Sequence, residues 1–381
     1  MRILFTGGGT GGHVFPIIAV ARQLKQIHAK SMAPIGPAEE TGLDMYFLGP
    51  DGWTKKLLKK EGIRARIILA GKLRRYFSVW TLFDLIKMPF GLLQSLWYLY
   101  FWMPDVIFSK GGYGSMPVVL IGWLYRIPIL IHESDTVPGL ANRWAAKLSQ
   151  RIALSFDSAK EYFPPEKTAL VGNPVRSEVI QICQVASQEV KEEAKKLFQI
   201  SGQKPIIFIV GGSQGAHPLN EFILQLLPQL LEKYEIIHQV GSKNYGQIEK
   251  KVGQNRPANY HFYAFLDENQ YAAAYLLADL VISRAGAGTI FEIAACTKPS
   301  ILIPLPQAAS DHQKGNAFAY ARAGATLVIE QANLTGNLFL SKVDQILSNP
   351  ELVQKMSQSA QSFYQPEAAQ KIGQALIEMG Q

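Results

Sequence analysis

The chain has 381 residues, of which 48% are apolar and 18% charged, and its formal net charge is +8. That length exceeds what one hydrophobic core usually serves, so two domains are expected, and the composition is that of a globular protein. The charge favours an anionic partner, and nucleic acid, phosphorylated metabolites and acidic lipid headgroups all qualify on charge alone. Cys183 and Cys296 are too few for a disulfide framework and lack zinc spacing, so they read as inert core thiols in a reducing compartment, with no structural metal.

The chain begins Met1-Arg2-Ile3-Leu4-Phe5-Thr6 and reaches glycine at once, without the apolar core of a secretory signal, so a cytoplasmic location is expected. Short apolar runs that end in glycine and lead into helical patterns recur at residues 3–6, 106–109, 206–210 and 280–283. Strand-loop-helix units of this kind build a parallel sheet, and the fold class is α/β.

The first loop is Gly7-Gly8-Gly9-Thr10-Gly11-Gly12-His13. Glycines let a backbone pass close to a ligand, and free N–H groups at a helix start attract phosphate or carboxylate. Gly7, Gly9 and Gly12 also meet the G-x-G-x-x-G spacing of nicotinamide-dependent oxidoreductases, for which Asp51 would be the acidic partner. That match is weak and leaves the later glycine loops unexplained, while a tight turn accounts for such a loop without any ligand. His13, in the first turn of the opening helix, is a candidate general base; a capping or turn histidine is the plain alternative.

Residues 79–102 are rich in apolar and aromatic side chains, interrupted by Lys87, Gln94 and Ser95 at helical spacing. The longest uncharged stretch, 88–104, falls just short of a bilayer span, so no transmembrane helix is expected. Most of this segment reads as core, although Trp80, Trp97 and Trp102 beside Lys72, Arg74, Arg75 and Lys87 equally suit an anionic membrane surface.

Gly211-Gly212-Ser213-Gln214-Gly215-Ala216-His217 aligns with the first loop without a gap, and each loop leads into a helix with an early proline, Pro16 or Pro218. Two domains of like architecture explain this repeat, with a ligand cleft between them. The turn-rich segment 171–176 precedes the boundary, giving domains 1–178 and 179–381, with the last helix free to pack back on the first.

In Arg284-Ala285-Gly286-Ala287-Gly288-Thr289-Ile290-Phe291-Glu292, small residues form the loop and Thr289 starts a helix whose end suits a diphosphate. Glu292 follows one turn later, where a carboxylate can accept from ribose hydroxyls or close a capping box on Thr289. Gln313 and Asn316, in a loop before a helix near Ala317, offer amide groups to sugar hydroxyls or to the helix start. No D-x-D triplet of the kind that holds a divalent ion beside a diphosphate occurs in the chain.

The segments GGGTGGHVFP, KGGYGSMP, IHESDTVPGLANRW, VGNPVR, GGSQGAH, RAGAGTIFEIA and DHQKGNA follow one another as in the MurG family of transferases, and the resemblance covers nearly the whole chain. It implies two Rossmann-like domains facing a cleft, the GT-B fold, and inverting transfer of N-acetylglucosamine from UDP to undecaprenyl-diphospho-muramoyl-pentapeptide. It also implies no cofactor, no nucleic-acid partner, and peripheral attachment to an anionic membrane surface on the cytoplasmic face. By the same likeness His13 is the base, and Gly111, Gly112 and Tyr113 meet the acceptor. Thr10, Gly11, Gly12, Asp135, Arg176, Ser213, Leu266, Ala287, Gly288, Thr289, Glu292, Gln313 and Asn316 meet the donor. Asp135 stands where the family often has asparagine, which places a carboxylate near the reaction centre, either to bind a sugar hydroxyl as the amide would or to assist as a base. A GT-B transferase with another lipid acceptor, a UDP-sugar epimerase and a catalytically dead scaffold are the neighbouring alternatives.

Overall fold

A computed structural model gives the architecture and describes all residues except 9–10, 32–41, 51, 53, 72–78, 213–214, 254–255 and 307–310, without the side chains of 31, 79–83 and 85. Thr10 and Ser213, expected at the donor, thus lie outside the described residues, as do Asp51, Lys72, Arg74 and Arg75. The chain forms two compact units, Met1–Pro174 with Pro366–Gln381, and Val175–Gln365.

The first unit holds a parallel sheet of β1 (Arg2–Thr6), β2 (Asp44–Gly49), β3 (Arg64–Ile67), β4 (Val106–Ser109), β5 (Ile129–Glu133), β6 (Arg151–Leu154) and β7 (Thr168–Leu170). Its strand order is β3-β2-β1-β4-β5-β6-β7. β4 and β5 are buried throughout. That burial on both faces is why residues 106–108 and 129–131 are continuously apolar rather than alternating. Successive residues serve opposite layers. Ile3, Phe5 and Phe108 pack with Val14, Ile17 and Leu24 of the helix Gly11–Ser31. Leu4 and Ile107 pack with Val118 and Val119 of the helix Met116–Leu124. The last helix, Ala368–Met379, adds Ile372 and Leu376 to the first of these layers.

The second unit repeats the plan with β8 (Ile206–Val210), β9 (Glu235–Gln239), β10 (Tyr260–Tyr263), β11 (Leu280–Ser283), β12 (Ser300–Leu302) and β13 (Thr326–Val328). The order is β10-β9-β8-β11-β12-β13, again parallel.

The helix Val79–Trp102 runs unbroken through Pro89, but it is not the core element expected from its composition. Asp84, Ser95 and Leu99 are buried, whereas Ile86, Phe90, Leu93, Trp97, Tyr100 and Phe101 face outward, Leu93 and Trp97 each 62% exposed. The buried side is set by close backbone approach: a Cβ on Gly91 would lie 1.9 Å from the carbonyl oxygen of Leu69. Trp123 and Leu124 extend the apolar face from the neighbouring helix. Among the described residues no helix is long and apolar enough to cross a membrane.

The expectation of two free thiols is corrected. Cys183 and Cys296 form a disulfide, with Cα atoms 5.3 Å apart across a separation of 113 residues. Cys183 lies in the helix Ser177–Gln184 and Cys296 caps the helix Ala287–Ala295, so their proximity arises from packing that linear spacing does not reveal. Protein unfolded without reductant is expected to give no reaction with Ellman's reagent, and both thiols are expected to react after reduction. Two thiols before reduction would refute the bond.

Candidate functional site

Each sheet reverses its strand order beside its first strand, between β1 and β4 and between β8 and β11. Connections on either side of such a point leave for opposite faces, so the carboxyl ends of the central strands stay uncovered for a ligand.

In the first unit the Gly8 amide donates to the Gly111 carbonyl at 2.8 Å and the Lys110 amide to Thr6 at 2.8 Å, tying together the turns after β1 and β4. Gly111 and Gly112 adopt φ of 85° and 83°, a region that favours glycine. A Cβ on Gly112 would lie 3.3 Å from His13 Nε2, one on Gly8 3.2 Å from His13 Cε1, and one on Gly111 2.4 Å from Asn142 Oδ1. These glycines therefore leave room for the imidazole of His13, the third residue of its helix, and for Asn142. Tyr113 opens a short helical turn, Tyr113–Ser115, directly behind them.

β5 delivers a buried carboxylate to the same edge. Glu133 Oε1 accepts from the Asp135 amide at 2.9 Å, and its Oε2 accepts from Asn142 Nδ2 at 2.8 Å. Lys110, which the sequence reading passed over, is 2% exposed and its Nζ donates to Ser134 Oγ. The only available signal was a lysine between a buried strand and a glycine pair. Burial, and then the neighbouring Asp135, push the Glu133 carboxyl up to about 7. Burial lowers Lys110 to about 8, against the pull of Glu133 and Asp135. His13 is held down to about 3 by burial and then by the charge of Lys110, so its ring is neutral at physiological pH.

In the second unit Gly212 and Gly215 have φ of 88° and 75°, and a Cβ on Gly215 would lie 2.3 Å from the Val240 carbonyl oxygen. His217, the counterpart of His13 in the repeat, is an exposed first residue of the helix His217–Lys233. After β11 the helix Ala287–Ala295 begins two residues earlier than expected, with Gly286 as its cap and no side chain closing its start. Ala287, Gly288 and Thr289 therefore form the first turn, whose amides have no partner within the helix.

Glu292 closes no capping box. Its Oε1 accepts from Arg176 Nε and Nη2, both at 2.7 Å, and its Oε2 from the hydroxyls of Tyr271 and Tyr275 at 3.0 and 3.4 Å. The Arg176 guanidinium also lies 3.8 Å from the Tyr271 ring centroid. A carboxylate offers about four acceptor sites. All are filled, so a ribose hydroxyl reaches Glu292 only by displacing one of these donors.

Gln313 and Asn316 stand in the helix His312–Arg322, not in a loop before it. Gln313 Oε1 accepts from the Leu305 amide at 3.0 Å, and the buried Asn316 donates to the Ala285 carbonyl at 3.3 Å, bracing the turn after β11. The Leu266 amide donates to Gln239 Oε1 at 3.1 Å. Among the described residues no cluster of His, Cys, Asp and Glu is placed to hold a metal ion.

Residues 3–154 match the Glycosyltransferase family 28 N-terminal domain and residues 206–372 its C-terminal domain. The UDP-N-acetylglucosamine–N-acetylmuramyl-(pentapeptide) pyrophosphoryl-undecaprenol N-acetylglucosamine transferase of Thermodesulfovibrio yellowstonii is 38% identical over 381 residues, 98% of this chain and 97% of its own. The protein of the same name from an Anaeromyxobacter species is 34% identical over 388 residues, 100% of this chain and 93% of its own. Among solved structures, MurG of Acinetobacter baumannii superposes with a TM-score of 0.70 at 28% identity, covering 99% of both chains. The UDP-GlcNAc 2-epimerase of Neisseria meningitidis shares the fold alone, with a TM-score of 0.68 at 13% identity over 99% of this chain and 100% of its own. Two doubly wound parallel units with these likenesses are the GT-B fold.

Two stability measurements check the buried charges. Glu292→Ala strands a buried guanidinium and is expected to cost about 3–5 kcal/mol in chemical denaturation, whereas Glu292→Leu with Arg176→Met recovers most of that loss. Glu133, raised from its ordinary 4.5 to about 7, keeps a proton in the folded chain that the unfolded chain has released. Stability therefore falls as pH rises through that window, and Glu133→Gln is expected to flatten the fall.

Proposed function

Because this chain belongs to the family of UDP-N-acetylglucosamine–N-acetylmuramyl-(pentapeptide) pyrophosphoryl-undecaprenol N-acetylglucosamine transferases, we propose that it moves N-acetylglucosamine from UDP to the 4-hydroxyl of the muramoyl sugar of undecaprenyl-diphospho-muramoyl-pentapeptide. The observation that carries this reading is the uncapped helix start Ala287-Gly288-Thr289 at the strand-order reversal of the second unit. A UDP leaving group gains negative charge as its bond to the sugar breaks, and oriented amides at a helix start stabilise that charge without reorganising. Gly11 and Gly12 form the first turn of a helix in the first unit.

His13 accepts the proton of the attacking hydroxyl in a single inverting displacement. Its ring is neutral before substrate binds, and a diphosphate brought near it favours the protonated form, raising its basicity when the reaction needs it. Gly111, Gly112 and Tyr113 meet the acceptor, and Asp135 meets the donor sugar. Glu292 takes the ribose hydroxyls in exchange for its present donors, while Gln313 and Asn316 hold the edge that meets the sugar.

The outward aromatic face of the helix Val79–Trp102 supports peripheral attachment to the cytoplasmic face of the membrane, where a polyprenyl substrate resides.

Transfer of radiolabelled N-acetylglucosamine to a short-chain lipid-linked acceptor is the direct test, and no transfer by folded protein would refute the reading. His13→Ala is expected to lower turnover by about 10²- to 10⁴-fold while calorimetry still records UDP binding. Trp97→Ser with Phe101→Ser is expected to weaken sedimentation with anionic vesicles and leave UDP binding intact; undiminished sedimentation would remove the membrane role.

A further inference from the structure

Lys110 is a buried cation beside His13, the proposed base. Its backbone is locked between the two central strands by the Lys110 amide to Thr6 and the adjoining Gly8 amide to Gly111. Its stem flanks Gly7 together with that of His13: a Cβ on Gly7 would lie 3.4 Å from Lys110 Cβ and 3.5 Å from His13 Cβ. The residue is buried, and its ammonium reaches the turn after β5, donating to Ser134 between the two carboxylates of Glu133 and Asp135. Burying an ammonium is costly, and one cation against two carboxylates is not a neutral pair. A methionine would fill the same space without that cost, so stability alone does not account for a lysine here.

We propose that Lys110 is a positioning residue for the transfer step, its buried ammonium pinning the Glu133-Ser134-Asp135 turn and presenting one positive charge behind His13. The inference rests on the reading of His13 as the base. The turn carries Asp135 and the carboxylate that fixes Asn142, and Asn142 packs against Gly111. Lys110 thus joins the turn after β4, which carries the proposed acceptor contacts, to the turn after β5, which carries Asp135. Its charge also disfavours imidazolium at His13 and at His132, the latter buried on β5 with Nε2 3.0 Å from the Gly172 carbonyl oxygen. The groups bearing on this balance are Lys110 after β4, His132 and Glu133 on β5, Asp135 beyond it and His13 on its helix. In the free enzyme that charge adds to burial, the larger cause, in holding the His13 ring neutral.

The test combines kinetics and titration on Lys110→Met, with Lys110→Arg as the charge-keeping variant. Lys110→Met is expected to lower kcat by about 10- to 100-fold with the KM for UDP-N-acetylglucosamine within about twofold, and Lys110→Arg to fall between. NMR of the His13 ring in ligand-free protein is expected to show a higher titration midpoint in Lys110→Met than in wild type. That midpoint should stay below 6.5, because burial is the larger cause of the depression. Where Lys110→Met does not fold, Lys110→Gln, which keeps a donor for Ser134, takes its place. An unchanged kcat, a loss confined to KM, equal His13 midpoints, or no titration in either protein above pH 4 would overturn the proposal. A wild-type protein that transfers no sugar while its His13 midpoint responds to Lys110→Met would instead refute the proposed function.

Discussion

A doubly wound sheet leaves the carboxyl ends of two neighbouring strands uncovered at the point where its order reverses, and the chemistry of both units depends on that opening. In the first unit the layers seen by Ile3 and Leu4 show how it arises, since the helices following β1 and β4 pack on opposite faces. The loops that emerge there are rich in glycine because they approach each other and the side chains between them too closely for a Cβ. Gly111 against Asn142 and Gly215 against the Val240 carbonyl are two of the tightest cases at these openings. A parallel sheet thus supplies both the rigid floor of a ligand site and the unpaired amides at its rim.

The two openings handle buried charge in opposite ways. In the second unit Arg176 and Glu292 satisfy one another, with two tyrosine hydroxyls completing the carboxylate, and that network joins the start of the helix Ser177–Gln184 to the helix that begins at Ala287. The disulfide between Cys183 and Cys296 joins the same two helices at a second place. In the first unit Lys110 faces two carboxylates, so the pairing is incomplete and the groups are shifted toward neutrality or away from charge. A saturated network holds a helix start still, whereas an unbalanced one responds to the arrival of substrate charge.

The helix Val79–Trp102 follows a third rule. Gly91 sits against the backbone at Leu69 with Asp84, Ser95 and Leu99 on the same buried side, Tyr98 and Trp102 pack on the core, and Phe90, Trp97, Tyr100 and Phe101 are turned outward. An apolar face of this kind suits a partner that is itself apolar, and a lipid-linked acceptor provides one.

The strand-loop-helix order, the repeat of glycine loops and the presence of a helix after each loop were legible in the sequence, because burial of strands on both faces and the glycine demand of tight turns act within a few residues of chain. Tertiary structure alone decided which face of the helix Val79–Trp102 is buried, that Glu292 is claimed by Arg176 and two tyrosines, that Cys183 meets Cys296, and that Lys110 reaches Ser134 and flanks Gly7 together with His13. Each of these joins residues distant in sequence, where no local spacing records the neighbour. Burial, charge pairing and bond formation depend on that neighbour, and only the packing of one strand or helix against another supplies it.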